Sequence, residues 1–145
     1  MSGREFRHPV AVRFGACDPA GIVYFPRFFE WFHEAMEAWF DLALGQPYAE
    51  LLRAHGLPAA KTEAAFAAPV RMGERVDVVL TVGHLGRSSL RLDYRVQGPA
   101  GDERARGSTT CVFSALDPAA GGLRPTPIPP ALRAAMAEFL APEPP

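Results

Sequence analysis

The sequence is poor in cysteine, in net charge and in long apolar runs. Its 145 residues include two cysteines, Cys17 and Cys111, whose spacing fits neither a disulfide framework nor a thiolate metal site. Fifteen Lys and Arg residues stand against 16 Asp and Glu residues, so no global positive field favours a nucleic-acid backbone or an anionic membrane. No segment approaches the roughly 20 apolar residues of a membrane span. We therefore expect a cytoplasmic protein without nucleic-acid or membrane partners.

Metal-ligand patterns are lacking as well. The four histidines, His8, His33, His55 and His84, are scattered without the i, i+4 spacing of a metal site, so we expect no metal and no cofactor. The sequence is rich in hydrophobic residues, which make up 48% of it. That amount is enough for one core, and the length predicts a single domain over residues 1–145.

The strongest periodic pattern predicts a long helix that begins at Pro26. Its charged residues recur at steps of three and four and form one narrow stripe, namely Arg27, Glu30, Glu34, Glu37 and Asp41. The rest of the circumference is apolar, so other elements should wrap this helix. We interpret the glutamates as a solvated face with His33 as their hydrogen-bonded neighbour; the alternative is an acid that faces the site of a partner subunit.

Alternating apolar residues predict several strands around this helix. Val10, Val12 and Phe14 indicate a first strand that ends near Gly15. The patterns predict further strands at 76–82, 90–96 and 104–116, a weaker one at 61–71, and short helices at 48–55 and 130–140. This order indicates an α+β fold, an antiparallel curved sheet wrapped around one long central helix. Such a sheet leaves an exposed edge, so we expect a homo-oligomer, either a dimer or a dimer of dimers.

The segment FGACDPAGIVYFPRFF places an acid just before the long helix. Asp18 could attack a carbonyl or activate water. The helix N-terminus could stabilise the oxyanion of acyl transfer through free N–H groups and the helix dipole. Because Pro26 has no N–H, the donor would be Phe25 or a close neighbour. From spacing alone, the simpler interpretation is that Asp18 caps a turn before Pro19.

CDPAGIVYFP and the aromatic-rich helix after it resemble the signature of the 4-hydroxybenzoyl-CoA thioesterase family of hot-dog proteins. The residues that fit the motif are Phe14, Gly15, Cys17, Asp18, Pro19, Ala20, Gly21, Ile22, Val23 and Pro26, with Trp31 inside the helix. The similarity is strong over about the first 40 residues, and only element order and length agree later. It implies the hot-dog fold and hydrolysis of an acyl-CoA to free acid and coenzyme A. It also implies that Asp18 is the catalytic carboxylate and that the backbone N–H of Phe25 polarises the thioester carbonyl.

Two positions depart from the family pattern. Ala16 stands where the aromatic-CoA enzyme has an acid, and Phe25 stands where that enzyme has Tyr and the short-chain branch has His. A backbone role for Phe25 survives this change, and the missing His argues against the short-chain branch. We expect the substrate to contact Gly21, Tyr24 and Phe28, which favours an aromatic acyl group of the benzoyl or 4-hydroxybenzoyl type.

Arginines crowd the later strands and turns at positions 87, 91, 95, 104 and 106. A guanidinium suits the phosphates of coenzyme A, and we rank Arg87 first because it lies at a turn beside Ser88 and Ser89. For any single arginine, ordinary surface charge is the simpler interpretation. Cys17 neighbours Asp18, but a lone cysteine without a placed histidine is more often a small buried residue than a nucleophile.

Two other functions stay open. The first is a thioesterase for short or medium aliphatic acyl-CoA or for acyl carrier protein. The second is a non-catalytic acyl-CoA or aromatic-acid binding module, in which Asp18 only orders its loop. The sequence also leaves open whether Asp18 acts as a nucleophile or as a general base.

Overall fold

A computed structural model of the chain describes residues 3–142. Its elements, in chain order, are β1 (Phe6–Ala11), α1 (Pro26–Leu42), α2 (Tyr48–Leu51), β2 (His55–Gly56), β3 (Ala59–Phe66), β4 (Arg75–Leu85), β5 (Ser89–Gln97), β6 (Glu103–Val112), β7 (Ser114–Asp117), β8 (Gly122–Pro125) and α3 (Pro130–Ala137). Within these residues, no helix is long and apolar enough to cross a membrane.

Five strands form one antiparallel sheet in the order β1-β4-β5-β6-β3. One face of this sheet packs on α1 through alternate side chains such as Val78, Leu80 and Val82, which are buried. A second sheet in the order β2-β7-β8 follows the change of direction after β6. The expected α+β hot-dog arrangement, a curved sheet around a central helix, is therefore confirmed.

Helix α1 supplies much of the core. Its buried side chains are Phe28, Trp31, Phe32, Ala35, Met36, Trp39 and Phe40. Phe32 stacks on Tyr94 of β5 with ring centroids 4.6 Å apart, and burial raises the pKa of the Tyr94 phenol. The close approach requires Gly107 on β6, because a Cβ there would lie 2.6 Å from the Phe32 ring. Helix α1 therefore packs closely on the sheet through the stacked pair of Phe32 and Tyr94, and this packing requires a glycine at position 107.

The polar stripe of α1 faces outward, as expected. Arg27 pairs with Glu30 at 2.9 Å, and His33 Nδ1 lies 3.2 Å from Glu37 Oε2. Because these side chains are largely exposed, screening by water makes such pairs worth only a few tenths of a kcal/mol, about 0.3 to 0.5 each. In the single chain, the stripe is therefore mainly the solvent-exposed edge of the helix.

Several predicted element boundaries are wrong. At these points the alternation of apolar residues continues in the sequence, but the backbone hydrogen bonds go to a different segment of the chain. The first strand ends at Ala11 and not near Gly15, since Val12 exchanges backbone hydrogen bonds with Gly73 and Glu74. Phe14 lies in a single 3₁₀ turn and is 79% exposed.

The predicted strand at 104–116 is two strands in different sheets. The break falls at Phe113, whose N–H donates to Ser88 O while its carbonyl accepts from Thr126 N–H. The weak strand at 61–71 is real but shifted, and it ends at Phe66. The helix expected at 48–55 keeps only residues 48–51, and the one expected at 130–140 ends at Ala137.

Candidate active site

The loop before α1 is a tight hairpin, residues 16–24, which we term the Asp18 hairpin. Asp18 N–H donates to Ile22 O at 2.9 Å, and Gly21 N–H donates to Asp18 O at 3.0 Å. Pro19 favours the first corner of the turn, and Gly21 adopts a φ of +77° that closes it. The sequence Asp-Pro-Ala-Gly therefore fixes Asp18 at the tip of a short, well-defined hairpin.

The Asp18 carboxylate has one engaged oxygen. Ala20 N–H donates to Oδ1 at 2.8 Å, so the turn-capping role considered from the sequence is present. No described residue donates to Oδ2, and the side chain is half-buried. One oxygen thus holds the turn, which leaves the other available for chemistry.

The first turn of α1 leaves one backbone donor free. Helix α1 begins at Pro26, with Phe25 as the residue before it. Arg27 N–H donates to Tyr24 O and Phe28 N–H donates to Phe25 O, whereas Phe25 N–H has no acceptor among residues 3–142. Together with the positive end of the helix dipole, this free N–H can bind a developing oxyanion.

An aromatic cavity of about 310 Å³ lies between the start of α1 and the chain that follows β3. It is lined by Ile22, Val23, Phe25, Phe28, Phe66, Ala67, Ala68, Pro69 and Val70. The Phe66 ring lies 5.1 Å from the Phe28 ring and 6.3 Å from the Phe25 ring, measured between centroids. Tyr24 and Asp18 do not line it; Tyr24 is 52% exposed and its ring lies 5.5 Å from that of Phe25.

The chain from residue 66 to residue 74, which we term the wall segment, is attached to the Asp18 hairpin. Val23 N–H donates to Val70 O at 2.8 Å, and Met72 N–H donates to Gly21 O at 3.1 Å. Sequence reasoning missed this wall. The available signal was an aromatic residue, Phe66, directly before the small residues Ala67 and Ala68.

Arg87, Ser88 and Ser89 lie far from Asp18 in a single chain. They sit at the turn that ends β4, where Arg133 donates side-chain hydrogen bonds to the carbonyls of Gly86 and Arg87. The Asp18 hairpin lies near the other end of β4, and 11 residues of strand span roughly 35 Å. One chain therefore does not bring these residues into one site.

The other arginines are paired with carboxylates. Arg91 pairs with Asp93, Arg95 with Glu5 and Arg106 with Glu103, all at exposed positions. Arg104 differs, because its side chain is 12% exposed and binds Glu74, Asp102 and the Pro69 carbonyl. These contacts argue against Arg104 as a ligand for phosphate, since its guanidinium already binds two carboxylates and a carbonyl.

The cysteines and acids form no further obvious centre. Cys17 donates a weak hydrogen bond to Arg13 O at 3.5 Å, and burial raises the pKa of the Cys111 thiol to about 11. Within residues 3–142, no three His, Cys, Asp or Glu side chains come together as metal ligands would. The chemically useful groups are therefore those of the Asp18 hairpin and the start of α1.

The chain matches a known protein family over most of its length. The family model described as the Thioesterase-like superfamily matches residues 12–136. The chain is 34% identical over 95 residues to a 1,4-dihydroxy-2-naphthoyl-CoA hydrolase of Synechococcus elongatus, which covers 63% of this chain and 69% of the relative.

Two solved structures share the fold over nearly the whole chain. One is a 1,4-dihydroxy-2-naphthoyl-CoA thioesterase from Synechocystis, with a TM-score of 0.83 and 25% identity over 94% of this chain and 98% of that one. The other is the dynemicin thioesterase, with a TM-score of 0.88 and 21% identity over 97% of this chain and 100% of that one. The chain therefore belongs to the thioesterase-like superfamily and is a thioesterase of the hot-dog fold.

Proposed function

We propose that this thioesterase hydrolyses an aromatic acyl-CoA to the free acid and coenzyme A, with Asp18 as the catalytic carboxylate. The observation that carries the proposal is that one Asp18 oxygen at the tip of the hairpin and the N–H of Phe25, which directly follows the hairpin, both lack a partner among residues 3–142. The first supplies the nucleophile or base, and the second binds the thioester carbonyl oxygen as it becomes negative.

Two courses of reaction fit these groups. In the first, Asp18 Oδ2 attacks the carbonyl carbon, the C–S bond breaks and coenzyme A leaves as a thiolate that takes a proton from solvent. Water then hydrolyses the resulting anhydride and regenerates the carboxylate. In the second, Asp18 takes a proton from a water that attacks the carbonyl carbon, the C–S bond of the tetrahedral intermediate breaks, and the proton passes from Asp18 to the departing coenzyme A thiolate. Both courses consume one water and need no cofactor.

An aromatic acyl group is favoured by the cavity beside Phe25. Phe25, Phe28 and Phe66 offer ring faces and edges to a bound ring, and aromatic pairs add about 0.5 to 1.5 kcal/mol beyond their buried area. The two naphthoyl-CoA enzymes among the similar proteins support the same class. One-ring benzoyl or 4-hydroxybenzoyl groups and two-ring naphthoyl groups are the candidates.

A second copy of the chain is part of the proposal. Strand β3 is a sheet edge, and seven of its eight residues are exposed in the single chain. Antiparallel pairing of β3 with its own copy about a two-fold axis would satisfy this edge. It would also place opposite ends of the two chains side by side, so that Arg87 of the partner subunit could approach the Asp18 hairpin.

A thiol-release assay over a small panel tests the function. Benzoyl-, 4-hydroxybenzoyl-, 1,4-dihydroxy-2-naphthoyl-, butyryl- and octanoyl-CoA are compared by kcat/KM. We expect the highest values for an aromatic ester. A preference for an aliphatic ester would favour the aliphatic thioesterase. Tight binding of acyl-CoA without release of thiol would favour the non-catalytic binding module.

A further inference from the structure

Arg104 is the most enclosed cation among the ion pairs of residues 3–142. Its side chain is 12% exposed, whereas the arginines of the other pairs are 37% to 64% exposed. Its partner Glu74 is 23% exposed. Surface pairs contribute little to stability, but an enclosed bidentate pair fixes the two groups it joins in one geometry.

The contacts of Arg104 converge on the wall segment. Nη1 donates to Pro69 O and to Glu74 Oε1, both at 2.9 Å, and Nη2 donates to Glu74 Oε2 at 2.8 Å. The backbone carbonyl of Arg104 accepts from Ala67 N–H at 2.9 Å and from Ala68 N–H at 3.1 Å. One residue on β6 therefore contacts the wall segment near its start, at residues 67–69, and at its end, Glu74.

The same segment carries the Asp18 hairpin on its other side. Glu74 Oε1 also accepts from Arg71 N–H at 2.7 Å, and Glu74 O accepts from Val12 N–H at 2.9 Å. Val70 O accepts from Val23 N–H. The Arg104 guanidinium thus binds the wall segment at Pro69 and Glu74, and the hairpin binds the same segment between these two points, at Val70 and Met72.

We propose that Arg104 and Glu74 form a positioning pair that holds the cavity wall against the Asp18 hairpin and so sets which acyl groups the enzyme accepts. The inference rests on the proposed function, since it concerns the acyl site of that reaction. Neither residue lines the cavity, and their charged groups are engaged with the wall segment and with each other, so we assign them a positioning role. They act through Phe66 and the residues after it, whose positions decide how wide the cavity is.

The chemistry of the two side chains makes the proposal testable by conservative substitution. Lys in place of Arg104 keeps the charge but loses the planar fork that holds Pro69 O and both Glu74 oxygens together. Gln in place of Glu74 keeps the shape but turns one acceptor into a donor facing Nη2. Each change loosens the wall and leaves the hairpin sequence intact.

The experiment compares R104K and E74Q with E103Q, a matched control. Glu103 also pairs with an arginine of β6, at 2.6 Å, but this pair has no contact with the wall segment. For each protein, kcat and KM are measured with the best aromatic acyl-CoA and with the smallest acyl-CoA that the wild type hydrolyses. Thermal midpoints are recorded for all of them.

We expect R104K and E74Q to raise KM for the aromatic ester about 5- to 30-fold, the loss of roughly 1 to 2 kcal/mol of acyl binding. KM for the small ester and kcat for both should stay within about two-fold. E103Q should match the wild type throughout. The characteristic result is a change in the ratio of the two KM values, which a merely structural role would not produce.

Equal changes for the large and the small ester, or a lower thermal midpoint with unchanged kinetics, would overturn the proposal. If E74Q does not fold, R104K alone decides, because it retains the ion pair. The proposed function is judged separately by the wild type. A wild type that prefers aliphatic esters refutes the aromatic assignment, while the dependence of the variants on acyl size still tests the pair.

Discussion

One Asp18 oxygen caps the turn, and the other is the one to which we assign the catalytic role. Asn at this position keeps an acceptor for Ala20 N–H, so the turn should persist. It removes the charge and the free oxygen that attacks or activates water. We expect D18N to keep the wild-type fold and substrate affinity and to lose at least ~10²-fold in kcat. Activity within a factor of a few of the wild type would refute the role of Asp18.

Arg87 allows a separate test of phosphate binding. R87A should raise KM for an acyl-CoA by roughly 10- to 150-fold with little change in kcat, because a remote charge-assisted hydrogen bond worth about 1.5 to 3 kcal/mol acts as uniform binding. A truncated thioester without the nucleotide should not respond to the substitution. Equal damage to both substrates would mean that Arg87 is structural, and Arg91 and Arg106 would be tested next.

At the scale of elements, the contact between α1 and β6 depends on the absence of a side chain at Gly107. A methyl group there would meet the Phe32 ring and Glu63 O at 2.6 Å, so the helix or the strand must shift. We expect G107A to lower the free energy of unfolding by about 1 to 3 kcal/mol, measured from urea midpoints. G15A is the control, because a Cβ at Gly15 meets no atom within 4 Å; an unchanged G107A midpoint would contradict this packing.

The stabilisation that Glu74 gives the wall segment should depend on pH in the acid range. Hydrogen bonds from Arg104 lower the pKa of the Glu74 carboxyl, so the folded state binds the proton less readily than the unfolded chain. The stabilisation is therefore present above the unfolded pKa of about 4.3 and is lost as pH falls through the lowered folded pKa. We expect the wild type to be more stable than E74Q at pH 7 and this difference in Tm to shrink at pH values below the unfolded pKa. A difference independent of pH would contradict the ion pair.

Sequence patterns predicted correctly the elements that are determined by residues close together in the sequence. Pro26 and the apolar periodicity place α1 correctly, and Asp-Pro-Ala-Gly contains the whole turn that holds Asp18. The wall segment could not be read in this way, because Arg104 and Glu74 are 30 residues apart and only the fold brings them together. For the same reason, Arg104 resembled a free cation and Phe14 resembled a strand residue.

At the scale of the whole molecule, a single chain leaves the outer edge of β3 unpaired and keeps Arg87 away from Asp18. We expect a dimer or dimer of dimers by light scattering at micromolar concentration. A fully active monomer would contradict this. If the site is shared between subunits, mixing unfolded D18N and R87A chains and refolding them should recover about one quarter of the wild-type kcat/KM, measured at substrate concentrations far below the wild-type KM. Half of the dimers are mixed, each of these has one intact site, and the raised KM of R87A keeps its other sites nearly silent at these concentrations. No recovery would mean that the two residues do not act across the interface.

The positions of the tryptophans give the protein a built-in optical probe. Its two tryptophans, Trp31 and Trp39, lie on α1, at 6% and 0% exposure. Trp31 packs against Phe28, with ring centroids 5.2 Å apart, and Phe28 lines the cavity. Native emission therefore originates in the central helix alone. Its shift to longer wavelength should follow the exposure of that helix during unfolding. If the proposed aromatic acid binds beside Phe28, a change in Trp31 emission should report occupancy of the cavity without any label.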